Sequence, residues 1–251
     1  MKNVIITGAM SGMGFEASKL FVSRGVDVLM VDMNEREGGL DEVNQEAKDG
    51  AKAYYCKCNL TDAADVKAMA DYAIKTFGKV DSLINNAGIF LKGRLHEIDE
   101  EGWDKVFAVD VKSILLTGKY IIPHMIENGG GTIVNTASVS GMYGDYNMAS
   151  YNAAKGAVIN LTKSMALDYG RDNIRTNAVS PSACATPMFM KNPQETVDKF
   201  CNANPIGRIC TPLEVAKAMY FLASDESTST NGAILTVTGG IEVYSGQPVQ
   251  Y

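Results

Sequence analysis

The chain has 251 residues, of which 46% are apolar and 21% charged, with a formal net charge of −6. That length suits one α/β domain with a substantial core, and an acidic balance with no basic run argues against nucleic acid or an anionic membrane as a main partner. No apolar run is long enough to span a bilayer, and the five cysteines and two histidines show no metal-binding spacing.

The first residues, MKNVIITG, enter an apolar strand at once, which predicts a cytoplasmic protein with no signal peptide. NVIIT runs into TGAMSGMG, after which Met13, Ala17, Leu20 and Phe21 recur at helical spacing. Strand, glycine turn and helix form the context in which glycines cradle a phosphate. Gly8, Gly12 and Gly14 let the backbone approach a pyrophosphate, and the helix N-terminus offers unpaired N–H groups. The spacing is G-x-x-x-G-x-G rather than the G-x-G-x-x-G of the dinucleotide fingerprint.

A second apolar strand, VDVLMVDMN, ends at Asp32, about 20 residues beyond the turn, where an acidic residue reads a ribose 2′-hydroxyl. A carboxylate there accepts from the adenosine diol and repels a 2′-phosphate. No Lys or Arg lies in the glycine turn, and Arg36 opens the next helix, so the expected cofactor is NAD rather than NADP.

A polar helix is predicted over Glu37 to Lys48, then the strand AKAYYCKCNL to Asn59, on which Cys56 and Cys58 share a face as reduced thiols. TDAADVKAMADYAIKTFG reads as a helix with Thr61 as N-cap, and VDSLINNAG as a fourth strand closing on Asn85, Asn86, Ala87 and Gly88. This alternation predicts a doubly wound parallel sheet, in which ligands bind beyond the carboxyl ends of the strands. Gly8, Asp32, Asn59 and Asn86 all stand at such ends, which predicts a dinucleotide cleft.

EEGWDKVFAVDVKSILLTGKYIIPHMIENGGG reads as one long amphipathic helix ending at a glycine cluster. A fifth strand, GTIVNTAS, delivers Ser138. Thirteen residues on, Tyr151 and Lys155 lie four apart in a helical segment, hence on one face. A cation about 5 Å from a phenol favours phenolate by roughly 3 kcal/mol at an effective dielectric of about 20. Phenol, ammonium and hydroxyl converging on one point can move a proton to or from an alcohol oxygen. After the strand NIRTNAVSP, residues 182–204 break the periodicity with prolines and methionines and read as an irregular loop covering the substrate. LEVAKAMYFLAS is a last helix and AILTV a last strand, followed by Thr238, Gly239 and Gly240. The tail IEVYSGQPVQY carries no pattern. With no repeat or linker, residues 1–251 read as a single domain.

In their order and distances, TGAMSGMG, Asp32, the NNAG at Asn85, Ser138, Tyr151-x-x-x-Lys155 and SPSACATPM resemble a compact short-chain dehydrogenase/reductase over essentially the whole chain. The resemblance implies a single doubly wound Rossmann domain with a mainly parallel seven-stranded sheet and helices on both faces. It implies reversible hydride transfer between a nicotinamide and an alcohol or carbonyl carbon. Tyr151 would then be the general acid/base, Lys155 would support it and hold the nicotinamide ribose, and Ser138 would bind the substrate oxygen. Ser11 and Met13 would join Gly8, Gly12 and Gly14 around the phosphates. Asn59 and Leu60 would line the adenine pocket, Asn86 would lie beside the adenosine ribose, and Cys184 and Thr186 would meet the carboxamide. A homotetramer, or a dimer, would pair through the helices that follow Glu100 and Ser150.

Three residues depart from that pattern. Asp110 stands where the family carries an asparagine, the fourth member of its catalytic group, and a charged Asp110 near Lys155 would offset part of that lysine's field. Ser182 replaces a glycine after Pro181, and Thr238 replaces an aspartate before Gly239. The walls implied for the substrate are Ile89, Phe90 and Leu91, then Met142, Tyr143, Tyr146 and Met148, then Pro187 to Met190. They suit a secondary alcohol or ketone with apolar bulk, alicyclic or steroid-like. The alternatives are 3-oxoacyl-carrier-protein reduction, a small diol or acetoin, and a non-catalytic dinucleotide-binding scaffold or sensor. Asp32 argues against the carrier-protein reaction, and the presence of Ser138, Tyr151 and Lys155 together argues against the scaffold.

Overall fold

A computed structural model of the chain describes residues 1–243. The carboxyl-terminal tail from residue 244, in which the sequence shows no pattern, lies outside the described residues.

Seven strands form one wholly parallel sheet in the order β3-β2-β1-β4-β5-β6-β7. They are β1 (Asn3–Thr7), β2 (Asp27–Asp32), β3 (Ala53–Lys57), β4 (Ser82–Asn85), β5 (Gly131–Thr136), β6 (Ile174–Pro181) and β7 (Ile234–Val237). Every residue of β1 is buried, as a strand covered on both faces requires. Because side chains alternate across a strand, successive residues feed two cores. Val4 and Ile6 pack on one face with Phe21 and Met219. Ile5 packs on the other with Met69, Leu83 and Ile121.

The first face is covered by α1 (Gly12–Val22), α2 (Gly39–Gln45) and α9 (Pro212–Ala223), and the second by α3 (Ala63–Phe77), α5 (Ser113–Glu127) and α7 (Ala149–Tyr169). The chain reverses its direction of winding between β1 and β4, so their carboxyl ends open a crevice at the switch point.

Several boundaries differ from the sequence reading. Helix α2 is shorter than the predicted Glu37 to Lys48, and Arg36 precedes it. The cap of α3 is Asp62, not Thr61: its carboxylate accepts from the N–H groups of Ala64 and Asp65. Of the two alternating thiols, Cys58 is buried and Cys56 half-buried, and β3 ends between them at Lys57.

The predicted long helix is instead α4 (Glu100–Phe107), a π-helical turn at Ala108–Lys112, and α5. A π turn occurs inside helices, and this one holds no glycine or proline to mark it, so the pattern alone reads as continuous helix. The stretch read as irregular loop, residues 182–204, contains α8 (Gln194–Ala203), in which Glu195, Asp198 and Lys199 flank the single buried residue, Val197. The remaining helix, α6 (Val139–Met142), is one turn long. No helix among the described residues is long and apolar enough to cross a membrane.

Candidate active site

The turn after β1 is built for a group that approaches backbone closely. A Cβ at Gly14 would collide with the Gly8 carbonyl oxygen and stand 2.6 Å from Asn86 Nδ2. Thr7 locks this turn to the end of β4: its hydroxyl accepts from the N–H groups of Asn86 (2.9 Å) and Ala87 (3.1 Å). Asn86 donates its amide to the Thr7 (3.0 Å) and Gly8 (3.3 Å) carbonyls, which leaves its buried Oδ1 without a partner. A buried acceptor with no donor is costly unless a ligand or water completes it. The residues present therefore fit a dinucleotide with donors beside Asn86.

At the end of β2, Asp32 accepts from the N–H groups of Met10 and Asn34, each at 3.1 Å. This fixes the carboxylate against the glycine turn. Arg36 is occupied elsewhere. Its guanidinium lies 4.2 Å from the centre of the Phe15 ring and pairs with Glu42 at 2.7 Å. Asn59 accepts from the backbone (3.1 Å) and hydroxyl (2.8 Å) of Thr61, and Leu60 is buried beside it. Ser11 is the exposed N-cap residue of α1, and Met13 packs against the first core.

Across the crevice, Tyr151 and Lys155 lie one turn apart in α7. The Lys155 ammonium is 5.6 Å from the centre of the Tyr151 ring, which packs edge-on to Phe90 at 6.4 Å. Lys155 donates to the Thr136 carbonyl at 2.9 Å and forms an ion pair with Asp110 Oδ2 at 3.0 Å. Asp110 Oδ1 accepts from the Ile89 N–H at 2.8 Å. Burial alone pulls the lysine pKa down. The charge of Asp110 and the neighbouring Tyr151 more than offset this and leave it above the ordinary lysine value. Gly88 keeps the space over this pair open: a Cβ there would stand 3.2 Å from Asp110 Oδ2 and 3.3 Å from Lys155 Nζ.

Ser138 caps α6. Its hydroxyl bonds to Ser140, at 3.3 Å to Oγ and 3.2 Å from the N–H. Ser140 in turn donates to Asp145 Oδ2 at 2.9 Å. The sequence reading passed over both residues, although the S-x-S spacing and one carboxylate inside an aromatic loop were visible.

The Cys184 and Thr186 segment pairs with Cys210, and burial pushes the Cys184 thiol up to about 12. Thr186 approaches the glycine turn closely, within 3.1 Å of where a Cβ of Gly12 would be. The two remaining departures knit the ends of β6 and β7. Ser182 donates to the Thr238 carbonyl at 3.2 Å, and the Thr238 hydroxyl bonds to the carboxylate of Glu242. A carboxylate is thus restored beside Gly239 from four residues further on.

A family model described as enoyl-(acyl carrier protein) reductase matches residues 8–242. The chain is 40% identical to the meso-2,3-butanediol dehydrogenase of Serratia marcescens, over 98% of this chain and 97% of that one. The chain belongs to the short-chain dehydrogenase/reductase family. It is also 40% identical to the cis-4-hydroxycyclohexanecarboxylate dehydrogenase of Sinomonas cyclohexanicum, over 94% of each. Among solved structures it is similar to a 3-ketoacyl-(acyl-carrier-protein) reductase from Brucella melitensis complexed with NADH. The TM-score is 0.86 at 35% identity, covering 96% of this chain and 98% of that one. As a member of this family the chain is a nicotinamide-dinucleotide-binding oxidoreductase that acts on CH–OH groups.

Proposed function

We propose that the enzyme is an NAD-dependent secondary-alcohol dehydrogenase whose substrate is an apolar alicyclic or hydroxysteroid-like alcohol. The observation that carries this reading is the buried Lys155 ammonium, 5.6 Å from the centre of the Tyr151 ring. It lies on the same rim as a glycine turn with no room for a side chain at Gly14.

When bound, a nicotinamide would supply the hydride acceptor for the carbinol carbon. Tyr151, as phenolate, takes the hydroxyl proton in the same oxidation, and Lys155 stabilises that phenolate and holds the ribose hydroxyls. Ser138 fixes the substrate oxygen. Asp110 holds Lys155 in place and moderates its field. Gly8, Ser11, Gly12, Met13 and Gly14 surround the phosphates, Asn59, Leu60 and Asn86 the adenosine, and Cys184 and Thr186 the carboxamide.

NAD is favoured over NADP because the Asp32 carboxylate is fixed where a 2′-phosphate would come, while Arg36 is held by Phe15 and Glu42. Apolar bulk is favoured by partly exposed Phe90 and Met142, and by exposed Met188 and Met190 on the segment 182–204 that we read as the cover. We read the protein as a single cytoplasmic domain that assembles as a homotetramer or dimer through α5 and α7, which expose Leu115 and Leu167.

The test is NADH absorbance with a panel of cyclohexanol, hydroxysteroids and 2,3-butanediol, with NAD and NADP in parallel. NAD reduction by an alicyclic alcohol is expected. Turnover confined to 3-oxoacyl thioesters with NADPH would replace this reading by the carrier-protein reaction, and dinucleotide binding without any turnover by the scaffold.

A further inference from the structure

Two cysteines stand side by side at the base of the segment read as the substrate cover. Cys184 and Cys210 are partners in an isolated parallel β-bridge. The Ala185 N–H donates to the Cys210 carbonyl at 2.8 Å, and the Cys210 N–H to the Ala183 carbonyl at 3.1 Å. Residues paired in this way lie about 4.8 Å apart and project to the same side. A disulfide needs Cα atoms about 4.4–6.8 Å apart with their Cβ vectors side by side, and such a pair meets that need. Both thiols are free, buried and packed in the same core cluster. The hydroxyl of Ser182, two residues before Cys184, lies 3.8 Å from Cys210 Sγ.

We infer that Cys184 and Cys210 are a modification site at which a hydroperoxide forms a disulfide, clamping the base of the cover and closing residues 185–209 into a loop. The helix α8 and the exposed Met188 and Met190 lie within that loop. Thr186 follows Cys184 by two residues and stands over Gly12, so the clamp falls where the cover meets the glycine turn. The bridge alone carries this inference, whatever alcohol the site takes.

The step balances with hydrogen peroxide as the oxidant. Cys210 Sγ, as thiolate, attacks one peroxide oxygen and the O–O bond breaks. Hydroxide leaves, becomes water with the proton that Cys210 gave up, and a sulfenic acid remains. Cys184 Sγ attacks that sulfur and the S–O bond breaks. The second hydroxide takes the Cys184 proton, and the S–S bond is made. Each sulfur has lost one electron and the peroxide has gained two.

Burial raises both thiols, Cys184 to about 12, which makes the first attack slow. Ser182 and Arg208 work against burial at Cys210, so Cys210 is the attacking sulfur. Its Sγ now donates to the Val237 carbonyl at 2.9 Å and must leave that bond by turning about χ1. The same burial keeps the link once it has formed. A disulfide returns readily to the dithiol where a thiolate is stabilised, and burial stabilises neither thiolate here.

Wild type, Cys184→Ala and Cys210→Ala are kept for hours in excess hydrogen peroxide, the remaining thiols are alkylated, and unreduced peptides are mapped by mass spectrometry. Wild type should yield a Cys184–Cys210 linked peptide. Its melting temperature should rise by roughly 5–10 °C over that of the untreated enzyme, because closing a loop of this length constrains the unfolded chain. Neither variant should show the rise, and methionine oxidation, common to all three, cancels in the comparison. The wild-type peptide map needs no variant, so it decides the matter even if an alanine variant fails to fold. Cys184 and Cys210 still open to alkylation, oxidised separately, or linked instead to Cys56, Cys58 or Cys201 would overturn the inference. A linked pair whose melting temperature moves no differently from the variants would overturn the clamp.

Discussion

The Lys155 ammonium stands 3.0 Å from Asp110 Oδ2, and both side chains are buried, so the charge that would support a Tyr151 phenolate is shared with a carboxylate. The pair raises the lysine pKa, and its stabilisation is fully present below the unfolded lysine value. It is lost as pH rises through the higher folded value. Wild-type melting temperature should therefore fall in strongly alkaline solution, and Asp110→Asn should flatten that fall. Asp110→Ala leaves the buried ammonium without its partner and should cost about 3–5 kcal/mol in denaturant unfolding.

For the chemistry, Asp110→Asn should strengthen the lysine field at Tyr151. The alkaline-going limb of the alcohol-oxidation profile should move to lower pH, with the rate at neutral pH within about tenfold of wild type, the scale of one pKa unit. A gain of several orders of magnitude would mean that Asp110 suppresses the wild-type enzyme rather than holding Lys155.

Tyr151→Phe keeps the ring that packs on Phe90 and removes only the ionisable oxygen. NAD affinity, followed by calorimetry, should change little. Turnover should fall by at least about 10²–10⁴-fold, the range for a general acid/base. Retained turnover on a confirmed alcohol would sink the assignment of Tyr151.

Asp32→Ala removes the carboxylate that Met10 and Asn34 hold against the glycine turn. The ratio of kcat/KM for NAD over NADP should drop by about 10- to 100-fold, as expected when a charge-assisted hydrogen bond and a repulsion are lost together. A wild type that already prefers NADPH would refute the reading of Asp32.

Gly14→Ala drives a methyl group against the Gly8 carbonyl and the Asn86 amide. Backbone and a buried, bonded side chain cannot yield as a flexible tip would, so a stability loss of about 1–3 kcal/mol is expected, with weaker dinucleotide binding. Thermal melting with and without NADH separates the two effects. A variant as stable and as tightly liganded as wild type would mean that the turn is looser than drawn.

The alternation of apolar strands and helices was legible because each element carries its own periodicity, and the carboxyl rim followed from that order. Gly8, Asp32 and Asn86 were placed correctly on that rim because a strand end is a local property. Two short helical features were not legible. The π turn at Ala108–Lys112 holds no glycine or proline to mark it, and α8 buries only Val197. Val197, Phe200 and Cys201 do recur at helical spacing in α8, but the prolines and polar residues on either side mask so short a run.

Taken alone, the amino-acid sequence determined the parallel sheet, the glycine turn with its acidic partner, and the face shared by Tyr151 and Lys155. All of these follow from spacing within one element or its immediate neighbour. Tertiary structure alone decided that Asp110 meets Lys155 from another helix, that Glu242 supplies the carboxylate missing at Thr238, and that Ser138 bonds to Ser140, which in turn donates to Asp145. The physical reason is that a charge or a hydroxyl acts over a few ångströms, and which partner comes within that distance depends on how the separate elements pack.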